Sequence, residues 1–562
     1  MSVPDTSARE DAAETDRKIL SASAVMAAGT IVSRLSGFVR SALLAAALGA
    51  YLHADIFTIA NTIPNMLYIL LAGGVFNAVL VPQLVRAMRD DPDGGEAYTN
   101  RVVTLAALFL GAVTLLLVLA APLVMSLYLD SQYDAPDLAA HRESIIDFAR
   151  LCLPQVFFYG MFVLVGQILN SRGKFGPMMW APIANNVISV LVLVVYLLTF
   201  GPAEGDDRFG AFTPGQELLL GIGSTAGIVA QLLILVPFLR AAGYTFRPRF
   251  DFRGTGLGHT MRLAVWTVLF VIVNQVAYTV VVRLASSGTV GGIEGGTGYM
   301  VYSSAFLIVM VPHSIITVSL ATAILPRLSA RAAEGDLAGL ARTLTGSLRT
   351  ALAVVLPFAA LLPVVAPYIA QVVWGHGAAA DDFDSYVPTL ALFGPGVVFF
   401  TVHYLMLRGF YALERTRTVF FIQCWVAATN IAVALVLVLN TGAKQTSPAL
   451  VIAYSASYAV GAAISYGVLR RVLGGLRTGE LVRFLVRLLV ATAISTGIAL
   501  AVAWPLQRAI EDSSWLPALL VGGLVTVVDV LAFLVLARLL RLREVTSVLQ
   551  TVTRRRPPAH RA

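Results

Sequence analysis

Two arginines stand where a membrane helix would carry leucine. The stretch SRLSGFVRSALLAAALG, residues 33–49, belongs to the first long apolar run of the chain and holds Arg34 and Arg40. An arginine at the bilayer centre costs roughly 2.5–3.5 kcal/mol on insertion scales, and snorkelling relieves this only near a helix end. A guanidinium is a permanent charge with a planar fork of donors that matches phosphate oxygens. The chemistry on offer is therefore anion binding rather than bond making. A six-residue spacing gives a rise of about 9 Å and sets the two side chains about 120° apart on a straight helix. Ser36 and Gly37 lie between them. Such a pair is a usual site for a bend, which makes Gly37 a candidate hinge that would turn both groups into one cavity. The competing reading pairs the arginines with a carboxylate, with Asp55 the candidate, to hold helices together.

The next apolar segment, ADIFTIANTIPNMLYILLAGGVFNAVLVP, carries Asp55, Asn61, Pro64 and Asn65, then Gly73 and Gly74. Helix breakers at membrane depth are tolerated where they line a cavity, so Asn61 and Asn65 are candidate binding residues and Pro64, Gly73 and Gly74 candidate gating positions. Close helix packing is the alternative use of small residues. Arg283 in YTVVVRLASSG is a further candidate cavity cation, close to the end of its segment. Asp529 in TVVDVLAF is a lone acid in mid-helix, either paired structurally or a coupling group. Cys152 and Cys424 lie in apolar segments without a CxxC or Cys/His neighbour, so no metal site is indicated.

The elements that must position these residues follow from composition. Of 562 residues, 57% are hydrophobic and 13% charged, and the mean hydropathy is +0.79. A soluble domain carries about 25% charged residues. Apolar runs long enough to cross the hydrocarbon core as helices recur along the whole chain, and they are continuous rather than alternating, which excludes a β-barrel. About fourteen spans are expected: 20–49, 54–88, 99–129, 144–170, 178–200, 215–240, 258–286, 298–328, 342–374, 386–412, 418–440, 448–473, 481–504 and 515–541. The fold class is an all-α polytopic membrane protein.

Loop charge alternates along the chain. Arg86 and Arg89, Arg172 and Lys174, Arg240 to Arg253, Arg327 and Arg331, Arg415 and Arg417, Arg470 to Arg477, and the tail TRRRPPAHRA fall on one side. The loops between are acidic or sparse: YLHAD, DSQYDAPD, GPAEGDD, AAADDFD and EDSS. The positive-inside rule then puts both termini in the cytoplasm. The net charge of +8 is spread over these loops as a topology signal, so nucleic acid is not an expected partner. The polar, acid-containing start reads as a tail with the first helix retained rather than as a signal peptide. All loops are short, which leaves no room for an inserted catalytic domain. This weighs against a membrane enzyme with a large external active site, and any chemistry would have to occur between the helices.

A repeat is visible at two places. NAVLVPQLVRAM with Pro82 answers ATAILPRLSARA with Pro326, and LCLPQVFFYG with Pro154 answers LFGPGVVFF with Pro395, both offset by roughly 240 residues. This predicts two pseudo-symmetric six-helix lobes, 20–243 and 256–475, then an added helix pair, 479–542, flanked by a disordered cytoplasmic tail (1–19) and a basic one (543–562). Parallel repeats around an axis along the membrane normal are a transporter plan with the substrate path between lobes.

These residues resemble the MurJ/MviN family of lipid II flippases, within the superfamily of multidrug, oligosaccharidyl-lipid and polysaccharide exporters. SRLSGFVRSALLAAALGA is similar to the family's first-helix pattern, and ADIFTIANTIPNMLYILLAGGVFNAVLVPQL to its second-helix pattern. LNSRGKFGPMMWAPIANNV matches its turn between helices 4 and 5, and the likeness continues through VPHSIITVSLATAILPRLS and FYALERTRT. The resemblance implies a bacterial inner-membrane protein of peptidoglycan biosynthesis. In it, undecaprenyl-diphosphate-linked muropeptide enters a central cavity from the cytoplasmic leaflet and Arg34 and Arg40 engage the diphosphate. Helices 13 and 14, with Asp529, form a groove for the lipid tail, and the lobes rock to release the substrate outside. No cofactor is implied; coupling to membrane potential, H+ or Na+ stays open, as do contacts with cell-wall synthesis proteins.

Three departures stand out. Met66-Leu67-Tyr68 and Ser303-Ser304-Ala305 replace segments where the family often carries arginine, and Arg415 stands where it often has an acid. Arg283 is the expected substitute for the missing cations, since a diphosphate buried with too few of them is costly. The Arg415 exchange leaves a sodium site that uses that acid without its ligand. The alternatives are an exporter of another polyprenyl-linked oligosaccharide, a drug antiporter, a polyprenyl-linked glycan polymerase and a cell-wall scaffold. The fourteen-span count and SRLSGFVR oppose the first two, the short external loops the third, and the intramembrane arginines the last.

Overall fold

A computed structural model describes residues 29, 32–69, 87, 93, 95–174, 176–251, 257–290, 292–509 and 514–546. Among these residues the chain is helical throughout, with no strand. Residues 32–48 form α1 and Leu52–Tyr68 form α2. Then come α3 (Glu96–Leu119), α4 (Pro136–Ser171), α5 (Gly176–Phe200), α6 (Pro214–Ala241), α7 (Leu257–Ser286) and α8 (Tyr299–Ala333). They are followed by α9 (Leu337–Trp374), α10 (Tyr386–Ala412), α11 (Thr416–Asn440), α12 (Thr446–Val472), α13 (Thr478–Ala509) and α14 (Trp515–Leu539). Twelve segments, corresponding to α3–α14, are long and apolar enough to cross a membrane. They match the last twelve expected spans one for one. The first two spans are described only in part, so Gly73, Gly74, Pro82 and both tails lie outside the described residues.

The helices are apolar on their outsides as well as between them. Leu198, Leu439 and Leu539 expose 82%, 73% and 72% of their surface, a pattern that only a hydrocarbon solvent makes favourable. The chain is thus a multi-pass membrane protein.

Prolines shape two helices differently. α4 is interrupted at Leu153-Pro154, between Ala139–Cys152 and Gln155–Ser171. By contrast α10 runs unbroken through Pro395. α2 likewise continues through Pro64, so the helix break expected at that residue is not present. Pro64 removes the N–H that would bond Ala60 O; in the preceding turn Thr62 Oγ1 donates to Thr58 O at 2.7 Å.

In the first half, α2 packs on α4, and α6 on both α4 and α5. In the second half, α10 lies between α9 and α12, and α11 joins α7 to α12. α13 and α14 pack on each other and on α9, where Leu361, Val364 and Val365 meet Ala499, Ala503 and Val525.

The acidic loops gather at one end of the bundle. Ala203 N–H donates to Ala47 O (2.9 Å) and Thr297 N–H to Ala443 O (3.1 Å). Asp130 N–H donates to Ser286 Oγ (2.9 Å), and Gly295 N–H to the Tyr51 hydroxyl (3.1 Å). Gly377 has φ 55°, and a Cβ there would fall 2.3 Å from Ala46 O. Only glycine satisfies both the left-handed backbone and the close approach. Loops that the charge alternation assigns to a common side are therefore neighbours in space.

Candidate functional site

α1 passes Gly37 as an unbroken helix, not interrupted at the expected hinge, and is pinned there to α5. Ser36 Oγ donates to Ser33 O (2.9 Å). Asn186 Nδ2 donates to Ser36 Oγ (2.8 Å) and to Ser33 O (3.0 Å). A Cβ on Gly37 would meet nothing nearer than Asn186 Nδ2, at 3.9 Å. This anchor fixes the arginines on either side of it.

Arg34 reaches across to the second half of the chain, where its Nη2 donates to Ser314 Oγ at 3.4 Å. Ser314 sits in a π-helical turn, His313–Thr317, inside α8. Such turns widen a helix and recur at functional sites. Arg40 lines a cavity of about 30 Å³ with Asn61, Ser189 and Ser224. It makes no hydrogen bond or ion pair among the described residues. Asn61 Oδ1 accepts from Gln155 Nε2 (3.1 Å), and Gln155 also donates to Thr225 Oγ1 (3.3 Å). The wall facing Arg40 is thus largely apolar (Leu44, Phe57, Val192, Leu193 and Leu220), with Asn61, Ser189 and Ser224 as its polar groups and no carboxylate.

Asp55 does not pair with either arginine. Its carboxylate crosses to the start of α8, where Oδ1 accepts from Met300 N–H (2.6 Å) and Oδ2 from Tyr299 N–H (3.1 Å) and Thr289 Oγ1 (2.7 Å). A helix N-terminus exposes unsatisfied N–H groups and a partial positive charge, so an acid from the first half caps a helix of the second. Gly298 makes room for it, since a Cβ there would fall 1.7 Å from Asp55 Oδ2. Tyr51 donates to Asp382 Oδ1 at 2.5 Å, and Arg208 forms an ion pair with the same carboxylate. Burial first, then the bond to Asp382, push the Tyr51 phenol up to about 12, so it remains a donor at neutral pH. These contacts close the acidic end between the two halves.

Asn65 lines a second cavity, of about 290 Å³, between the halves. Thr62 from α2, Asn274, Gln275 and Tyr278 from α7, Tyr302 and Phe306 from α8, and Tyr454 and Tyr458 from α12 share it. Gln275 Nε2 donates to Met66 O and Gln423 Nε2 to Asn274 Oδ1 (3.2 Å). This wall of amides and phenols is absent from the sequence expectation. The amide pair in VIVNQVAY and the tyrosines in AYSASYAVG were the available signal, but five separate helices supply the wall, Asn430 of α11 included.

The structure does not bring Arg283 to either cavity. Its Nη1 donates to Ser126 O at 2.7 Å in an exposed contact, where it joins α7 to the helix Ala121–Tyr128 of the first half. The expected stand-in cation therefore sits at the closed end, because Arg283 lies in the last turn of its helix. Asp529 is buried between α14 and α13, with Thr496 Oγ1 donating to its Oδ1 at 3.5 Å. Among the described residues no group of three or more His, Cys, Asp or Glu side chains is placed to hold a metal ion.

The chain matches the family described as lipid II flippase MurJ over residues 44–521. It is 29% identical over 436 residues to the probable lipid II flippase MurJ of Rhizobium meliloti, covering 76% of this chain and 77% of that protein. It is 27% identical over 403 residues to that of Haemophilus influenzae, covering 69% of this chain and 75% of that protein. The fold is similar to a solved lipid II flippase MurJ in an inward closed conformation, with TM-score 0.68, 16% identity, and 94% and 99% of the two chains covered. It is also similar to an inward-facing multidrug resistance MATE family transporter, with TM-score 0.62, 16% identity, and 79% and 96% covered. Because the family match runs over residues 44–521, most of the chain, the chain belongs to the lipid II flippase MurJ family.

Proposed function

We propose that this chain carries lipid II, the undecaprenyl-diphosphate-linked muropeptide, from the cytoplasmic to the outer leaflet of the bacterial inner membrane by alternating access. The carrying observation is that Arg34, which reaches across to the second half, and Arg40, which faces a cavity within the first, lie on one helix with no carboxylate partner among the described residues. Permanent charges in a membrane interior without a structural partner are kept for an anionic ligand. Each would form charge-assisted hydrogen bonds with a diphosphate. Asn61 and Asn65 supply neutral donors beside it. The ring faces of Tyr302, Tyr454 and Tyr458 offer apolar surface to sugar rings.

Basic loops face the cytoplasm by the positive-inside rule, so the end closed by Asp55, Tyr51, Arg208 and Arg283 is the outer one. A cavity of about 290 Å³ is at the lower edge of the roughly 300–1,000 Å³ of ordinary ligand pockets. A disaccharide-pentapeptide needs more, so the lobes 20–243 and 256–475 must separate to admit it. α13 and α14, held against α9, guide the lipid tail, and Asp529 acts there as a polar clasp between them. Membrane potential, H+ or Na+ supplies the drive.

The test is depletion of the protein in a strain with no second flippase, with lipid II accessible outside the cell as the readout. External lipid II should fall as the precursor accumulates inside. Undiminished external lipid II would refute the reading and leave another polyprenyl-linked oligosaccharide as the cargo.

A further inference from the structure

Four arginines and two glutamates surround a cavity of about 250 Å³ at the bundle end opposite the acidic loops, where α9, α13 and the residues after α14 meet. One arginine uses both acids: Arg349 Nη1 lies 3.8 Å from Glu480 Oε2, and Arg349 Nη2 pairs with Glu544. The other three, Arg483, Arg487 and Arg541, are left facing the cavity. Arg487 and Arg541 form no ion pair among the described residues, and Arg483 donates only to Gly479 O (3.2 Å).

Two further features mark this cavity. Arg541 holds φ at 56°, a left-handed conformation that disfavours any side chain and that glycine adopts freely. The position is the one just past the end of α14, fixed by Leu542 N–H donating to Ala537 O (2.8 Å) and Arg541 N–H to Arg538 O (3.1 Å). Arg483 and Arg487 also begin a stripe on one face of α13. At the same helical spacing it continues as Val490, Ile494 and Ile498, exposed by 44%, 45% and 42%. Cations at the membrane surface followed by an exposed apolar ridge fit a ligand with an anionic head and an acyl or prenyl chain.

We propose that Arg483, Arg487 and Arg541 bind a lipid-borne phosphate group at the cytoplasmic membrane surface, with its chain laid along Val490 and Ile494 of α13. The phosphate belongs either to an acidic glycerophospholipid or to a polyprenyl diphosphate. The site is separate from Arg34 and Arg40 and does not depend on the transport reading. Three arginines converging on one cavity suit multidentate phosphate binding.

The experiment measures the melting temperature of the purified full chain in neutral detergent. The additions are phosphatidylglycerol, phosphatidylcholine, undecaprenyl diphosphate or inorganic phosphate. A ligand bound only by the folded state raises that temperature. Phosphatidylglycerol should raise it and phosphatidylcholine should not, and the rise should be lost in R483A/R487A. R541G is the variant that must fold, because glycine relieves the left-handed strain, and it too should lose the rise. Arg470→Ala with Arg471→Ala, an equal loss of charge at the end of α12, should keep it. In an R34A/R40A background, a rise with undecaprenyl diphosphate that R541G abolishes assigns the pocket to the polyprenyl carrier. A rise with phosphatidylglycerol alone assigns it to bulk lipid. The proposal is overturned if R541G and R483A/R487A respond as the parent does, or if inorganic phosphate protects equally well.

Discussion

Replacing Asp55 with alanine should unlock the acidic end of the transporter. The carboxylate accepts from Tyr299 N–H, Met300 N–H and Thr289 Oγ1, and both backbone donors belong to residues at most 1% exposed. Losing a helix cap costs about 0.5–2 kcal/mol, and each buried donor left unpaired costs about 1–3 kcal/mol. The two overlap, since opening rehydrates the donors, so closure should weaken by about 2–4 kcal/mol. At 1.4 kcal/mol per tenfold, the closed-to-open ratio falls about 30- to 700-fold. Spin labels on exposed Gln132 and Glu294, one from each half, read this as a longer distance population by double electron–electron resonance. Gly298→Ala pushes a methyl into the same carboxylate from the opposite side and should do the same. The double variant should be no worse than the stronger single one, because each removes the same latch. A distance distribution in Asp55→Ala identical to the parent's would refute the reasoning.

Three other outcomes are expected. Arg283→Ala should support flipping while lowering thermal stability by about 1 kcal/mol, the usual worth of a hydrogen bond to a carbonyl; loss of flipping in folded protein would restore it as a substrate cation. Asp529→Asn should leave transport and its response to ionophores unchanged, since an amide oxygen still accepts from Thr496; a changed response would make it a coupling group. Asn186→Ala removes two bonds that pin α1 to α5. It should reduce flipping with little change in expression, as measured by complementation and immunoblot.

Much of the architecture was legible before any coordinates. Spans are set by uninterrupted apolar length, which is local information, and those expected for α3–α14 recur as helices. The common side of the acidic loops was legible for the same reason, because charge alternates with every crossing. Partnership was not. Asp55 and the α8 N-terminus are separated by 244 and 245 positions, so only tertiary pairing could turn a candidate arginine partner into a cap. The depth of Arg283 could be read from its place near a helix end, but not its acceptor, Ser126 O. The amide and tyrosine wall escaped notice because single polar residues on separate helices carry no spacing signal. The left-handed Arg541 escaped because nothing in a chain of side-chain types announces a positive φ.

The diphosphate clamp proposed for Arg34 and Arg40 is tested most directly by Arg34→Ala and Arg40→Ala, made singly in a strain depleted of the parent protein, with external lipid II as the readout. Removing a charged donor from a phosphate costs about 1.5–3 kcal/mol, so each variant should lose about 10- to 150-fold in flipping at limiting substrate while reaching the membrane in normal amount. Full external lipid II in both variants would contradict the clamp and leave the two arginines as structural residues.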